Sequence, residues 1–119
     1  MIVRSLIAAG IAASCLFSLP VFANETTLAK VKQTSTLKLG YRENSPPFSF
    51  LADDKTPRGY SVDLCKAVAA GIARQLNLPN LDVQWVPVTA HTRFEALKNG
   101  EIDLECGNTT QTLSRRAEF

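Results

Sequence analysis

The chain has 119 residues, thirteen Lys and Arg against eleven Asp and Glu, and a formal charge of +2. A balance so close to neutral leaves no electrostatic footprint for nucleic acid or a strongly anionic membrane surface. Three cysteines and one histidine form no metal-ligand spacing, which excludes a zinc motif.

Met1 to Arg4 is a short basic opening, and Ser5 to Leu19 is almost wholly apolar. Pro20 breaks that run, and Val21-Phe-Ala23 ends in the small-x-small style of a secretory cleavage site. Residues 1–23 therefore read as a cleaved signal peptide. The apolar run is shorter than a comfortable membrane span. Cys15 raises lipid anchoring as an alternative, but Ala12 stands where a lipidation signal has a larger aliphatic. Removing 1–23 takes Arg4 away and leaves twelve basic against eleven acidic residues.

Residues 24–36 are polar, with weak periodicity at Leu28 and Val31, and read as a flexible leader or a loose helical turn. Leu37 to Tyr41 alternates as a first strand. Arg42 follows, and Glu43 to Pro47 continues neither strand nor helix. Phe48 to Leu51 reads as a short strand, and Asp53 to Pro57 as a surface turn.

Val62 to Leu76 is the strongest helix signal, with Leu64, Cys65, Val68, Ala69, Ile72 and Leu76 at helical spacing. Ser61 is placed to cap it, and Asn77 with Pro79 to stop it. Leu81 to Val86, running on to Val88, reads as a second strand. Thr89 to Asn99 reads as a helix with a Thr92/Glu95 capping box, Phe94 and Leu97 facing inward, and Gly100 at its end. Ile102 to Cys106 reads as a third strand in which Asp103 and Glu105 are unexpected for a doubly covered sheet. A helix follows over Thr112 to Glu118. Cys65 and Cys106 fit a disulfide of an exported protein and equally two buried thiols; spacing does not choose between them.

Strands alternating with helices imply an α/β fold with a parallel sheet. Its βα junctions share the carboxyl-end edge, where ligands bind. That edge would gather Arg42, Arg93, the Asn108-Thr109-Thr110 cluster and Arg115. Backbone donors, hydroxyls and guanidinium forks suit a carboxylate. Taken singly, a βα turn with capping threonines and solvated arginines would explain the same residues. His91 has no partner that would suggest catalysis or metal binding, and Trp85 reads as core.

These motifs resemble a family. Leu37-Lys-Leu-Gly-Tyr-Arg-Glu-Asn-Ser-Pro-Pro-Phe48, Gly59-Tyr-Ser-Val-Asp-Leu64, Arg93-Phe-Glu-Ala-Leu-Lys-Asn-Gly-Glu-Ile-Asp-Leu104 and Cys106-Gly-Asn-Thr-Thr-Gln-Thr-Leu-Ser-Arg115 are similar to periplasmic amino-acid-binding proteins. These are the family 3 solute-binding components of polar amino-acid ABC transporters, with the type II periplasmic binding fold. Tyr41-Arg-Glu43, Arg93 and Glu105-Cys-Gly107 are nearest to glutamate/aspartate-binding members.

The resemblance implies an incomplete N-terminal lobe over residues 37–119, ending before the hinge and second lobe. It implies a periplasmic monomer that captures an amino acid, docks on inner-membrane ABC permease subunits, and has no cofactor, metal, nucleic-acid partner or catalysis. Arg115 would grip the ligand's α-carboxylate with Thr110, and Asn108 would offer its carbonyl to the ammonium group. Thr109 belongs to the same cluster. Arg42 and Arg93 would hold a side-chain carboxylate, and Phe48 would shape the pocket wall. Ala90 and Asn108 depart from the serines that acidic-ligand binders have there, and the former removes a donor. The fold also serves cyclohexadienyl dehydratase-like enzymes and transglycosylase-associated modules, for which Glu43 and Glu105 are the only acid/base candidates. A lobe without its partner is expected to bind weakly or not at all.

Overall fold

The computed structural model describes residues 26–118. The expected signal peptide and Cys15 lie outside them. In chain order the elements are α1 (Thr27–Thr34), β1 (Thr36–Tyr41), β2 (Asn44–Ser45), β3 (Ser49–Leu51), β4 (Pro57–Arg58) and α2 (Tyr60–Leu76). β5 (Asp82–Pro87), α3 (Arg93–Lys98), β6 (Leu104–Cys106) and α4 (Leu113–Arg116) follow.

β1 is the centre of a three-stranded parallel sheet in the order β5-β1-β6. Its alternation decides the layering. Leu37 and Leu39 are fully buried and pack with Cys65 and Ala69 of α2, Cys106 of β6 and Val31 of α1. Gly40 points to the other face, where a Cβ would sit 2.5 Å from the Ile102 Cδ1 atom. On that face Ile102, Val88 and Ala96 of α3 form a second, smaller cluster. Ala96 is buried where Phe94 was expected to turn inward; Phe94 is only half-buried. A minor antiparallel sheet, β2-β3-β4, carries the chain from β1 to α2.

Several expectations are corrected. Of the two readings of residues 24–36, flexible leader or helical turn, the structure takes the helical one, a capped two-turn helix over 27–34. Val31 is fully buried, and Lys30 Nζ lies 2.8 Å from the Asp103 carboxylate. The other oxygen of Asp103 accepts from Lys38 N at 2.9 Å, while Asp103 N donates to Lys38 O at 2.7 Å. Asp103 therefore locks α1 and β1 to the start of β6, which explains a carboxylate in that place. The strand proper begins at Leu104.

The buried stripe of α2 runs through Val62, Cys65, Ala69, Ile72 and Leu76. Leu64 and Val68, one position off that stripe, are about half exposed (51% and 46%). Ser61 does not cap α2. Its first N–H groups are taken by the main chain instead, Tyr60 N donating to Pro47 O and Ser61 N to Phe48 O. Gly59 makes that approach possible, since φ is +122° and a Cβ would collide with Phe48 O. The Thr92/Glu95 capping box does not form. Thr92 Oγ1 accepts from Thr89 N, and Thr89 Oγ1 accepts from Thr92 N, so the two residues close a tight turn before α3.

Cys65 and Cys106 are joined by a disulfide that ties α2 to β6 across a sequence separation of 41 residues. Closing a loop of that size restricts the unfolded chain by about 4 kcal/mol in the chain-entropy treatment. Reduction should lower unfolding stability by roughly that amount, read as a shift of the urea midpoint; equal midpoints with and without reductant would contradict it.

Candidate functional site

The register fixes where the site can be. Tyr41 lies opposite Pro87 on one side and Cys106 on the other, so the three strands end level. The segments leaving them, at Arg42, at Val88 to Thr92 and at Gly107 to Thr110, therefore emerge along one rim.

Arg42 is held by its backbone. Ser49, fully buried, accepts from Arg42 N at 2.9 Å and donates to Arg42 O at 3.1 Å. This double bond replaces the ladder partners the chain loses on leaving β1. Beside it, burial, and secondarily the Glu43 carboxylate, push the Tyr41 hydroxyl above its ordinary pKa. The Arg42 stem reaches over Gly107, where a Cβ would lie 3.0 Å from Arg42 Cγ and would collide with Glu105 Oε1. Ser61 Oγ donates to Gly107 O at 2.6 Å, pinning the start of α2 to the loop after β6.

In that loop Asn108 and Thr110 are exposed, and Thr109 is half-buried with an unpartnered hydroxyl. Thr112 caps α4 by accepting from Arg115 N, and Arg115 Nη1 donates to Thr110 O at 2.7 Å. The guanidinium carbons of Arg93 and Arg115 lie 5.0 and 4.9 Å from the centre of the Phe94 ring. Phe94 thus draws the two cations together, a contact worth about 0.5–1 kcal/mol each at an exposed site.

Two clefts open here. One, of about 380 Å³, is lined by Phe94, Leu97, Leu104, Glu105, Thr109, Thr110 and Arg115, with Asp103, Gln111 and Arg116 completing it. The other, of about 350 Å³, is lined by Arg42, Glu43, Asn44, Pro87, Val88, Thr89, Ala90 and His91. The structure thus brings Arg93 and Arg115 onto one ring and sets Arg42 beside Glu105 and Gly107. Phe48, 43% exposed, lines neither cleft; its carbonyl serves α2 instead. Among the described residues the ion pairs are Lys30–Asp103, Arg58–Asp54, Lys66–Asp63 and Lys98–Glu118, so none involves a rim arginine. No group of described residues is arranged to hold a metal ion.

Ser49 and Ser61 were not among the sequence-derived site residues. Their roles depend on contacts made across the β2-β3 turn and the α2–β6 junction, and neither leaves a local signal.

Residues 37–119 match the family model of the bacterial extracellular solute-binding proteins, family 3. The chain belongs to this family. A relative described as an L-glutamate/L-aspartate-binding protein of Pseudomonas aeruginosa is 42% identical over 98% of the chain and 39% of its own length. The glutamate/aspartate import solute-binding protein of Escherichia coli K12 is 36% identical over 78% of the chain and 31% of its own. The chain thus spans about a third of these family members.

Among solved structures, the ancestral amino-acid-binding protein AncCDT-1, described as a precursor of cyclohexadienyl dehydratase, superposes with a TM-score of 0.66. It is 28% identical, over 77% of this chain and 38% of that one. A point mutant of the arginine-bound form of domain 1 from TmArgBP gives a TM-score of 0.61 at 27% identity. That match covers 76% of this chain and 64% of the other.

The Ser49 clamp has a measurable consequence. Ser49→Ala leaves a buried N–H and carbonyl of Arg42 unpaired, at a cost of about 1–3 kcal/mol. Denaturant unfolding should show that loss, together with faster amide exchange at Arg42; unchanged stability and exchange would show that the clamp is dispensable.

Proposed function

We propose that this family 3 lobe is part of the extracytoplasmic binding component of an amino-acid ABC importer, with glutamate or aspartate as ligand. It would be exported by cleavage after residue 23, act as a monomer, and deliver its ligand to permease subunits without catalysing a reaction. The observation that carries the reading is charge left unspent. Among the described residues the ion pairs take other cations, and none of them involves Arg42, Arg93 or Arg115.

In this reading Arg115, braced by the Thr110 carbonyl and the Phe94 face, forks onto the α-carboxylate. Asn108 supplies its carbonyl to the ammonium group, with Thr109 and Thr110 as hydroxyl donors. Arg42 and Arg93 meet the side-chain carboxylate. The named import relatives support the ligand class. The arginine-bound domain 1 of TmArgBP supports measurable binding by a single lobe, where complete loss was one of the expectations. Without a facing surface to exclude water, affinity should still fall well below that of a two-lobed protein.

An enzyme of the same fold is the second reading, favoured by the likeness to AncCDT-1, described as a precursor of cyclohexadienyl dehydratase. It would need a positioned acid or base. Glu43 is exposed and Glu105 keeps one oxygen buried without a donor, and among the described residues neither side chain has a hydrogen-bonded partner that would set it for proton transfer.

Calorimetric or NMR titration with L-glutamate, L-glutamine and L-arginine tests the reading. Glutamate should bind most tightly, and Arg115→Ala should weaken all α-amino acids by about ten- to a hundred-fold, since a charge-assisted bond contributes ~1.5–3 kcal/mol. Arg42→Ala and Arg93→Ala should weaken glutamate selectively. Ala90→Ser, which adds a hydroxyl to the Arg42 cleft, should tighten glutamate by a few-fold, for about 0.5–1.5 kcal/mol. Tighter binding of arginine than of glutamate would overturn the ligand class, and turnover of a ligand acid would favour the enzyme.

A further inference from the structure

Three buried side-chain polar atoms among the described residues have no hydrogen-bond partner: Arg93 Nε, Glu105 Oε1 and Thr109 Oγ1. All three belong to the rim. Arg93 and Thr109 are already proposed as ligand contacts, but Glu105 is not, and a carboxylate has the wrong sign for an anion site. A buried, unpartnered carboxylate oxygen is costly and calls for a reason.

Its position supplies one. Glu105 sits on β6 in register with Gly40 of β1, so the strand pairing holds its Cα fixed. Its Oε1 and the Cγ of Arg42 both crowd the place where Gly107 has no Cβ. Among the described residues no ion pair joins Glu105 to Arg42, so the carboxylate lies beside the arginine's stem without taking up its guanidinium. An arginine stem has many rotamers, and a fixed negative charge beside it narrows them at little cost to its hydrogen-bonding capacity. Gly107 matters because any side chain there would separate the two.

We propose that Glu105 is a positioning residue for Arg42 and, through it, a determinant of selectivity for a side-chain carboxylate over the corresponding amide. The proposal rests on the reading above that Arg42 meets the ligand's side-chain carboxylate. Two variants disturb the contact by different routes. Glu105→Gln removes the charge at constant shape, and Gly107→Ala displaces the carboxylate while leaving its charge.

The test compares L-glutamate and L-glutamine affinities in the wild-type chain and both variants, with melting temperatures measured alongside. Each variant should lower the glutamate-to-glutamine affinity ratio by about ten-fold, the scale of one charge-assisted bond, with glutamine affinity little changed. Glu105→Asp should restore part of the ratio. An unchanged ratio overturns the proposal. So does a ratio shifted toward glutamate, which would mean that Glu105 competes with the ligand for Arg42. A parallel loss of both affinities with falling stability also overturns it, as a merely structural role.

A ligand-free arm separates this proposal from the reading beneath it. The Arg42 side-chain Nε–H resonance should be sharp in the wild type and broadened in Glu105→Gln. Identical resonances would overturn the positioning role, whereas a wild-type chain that binds neither ligand overturns the functional reading.

Discussion

The constraint on which this molecule depends is the parallel register that brings β5, β1 and β6 to a level end at Pro87, Tyr41 and Cys106. A parallel sheet lines up the exits of its strands by construction, because each crossover returns the chain to the opposite edge before the next strand begins. Residues more than sixty positions apart thereby share one rim without any direct bond between them. The register is secured by Leu37 and Leu39 against α2 on one face and by Gly40 against Ile102 on the other. At the far end Asp103 joins β1, β6 and α1 through hydrogen bonds and an ion pair. The disulfide adds a covalent tie between α2 and the strand that carries the site loop.

Charge is distributed in a way that divides structure from function. Asp103, nearly buried, meets Lys30 and a backbone N–H, an arrangement whose partners would be stranded if it were removed. The other ion pairs are exposed side-chain contacts of small energetic weight. The rim differs in kind: Arg93 and Arg115 gather on an aromatic face and Arg42 leans over a glycine, each with donors left over. Hydroxyls in the same region are mostly committed to backbone, as Ser49 is to Arg42 and Ser61 to Gly107. The backbone beneath these arginines is thus held by hydrogen bonds with buried or half-buried hydroxyls.

The α/β class and the family were legible in the sequence, because strand alternation, helix periodicity and the ordered motif set are local properties. The exact face of α2 was not. Leu64 and Cys65 are neighbours in sequence and about 100° apart on a helix, and only the partner Cys106 decides which points inward. The leader's polarity leaves a flexible segment and a helical turn both open; packing decides, since Val31 is fully buried and a lysine beside it reaches a carboxylate 73 positions away. Capping was misread twice, since Ser61 and Thr92 both have the right chemistry but spend their hydroxyls elsewhere. The place of the arginines at the strand exits follows from the βα order. The contacts that Ser49 and Phe94 make with them do not, because those depend on packing between segments.

The chain spans about a third of the family 3 relatives it matches. The central claim is that its rim has a ligand-facing side defined by uncompensated arginines. The most direct test is a chemical-shift map of isotopically labelled chain titrated with L-glutamate at low salt. Saturable shifts concentrated at Arg42, Arg93, Thr110 and Arg115 are the result expected from this account. Shifts scattered over α1, α2 and the outer edge of β5, with those four residues unmoved, would contradict it.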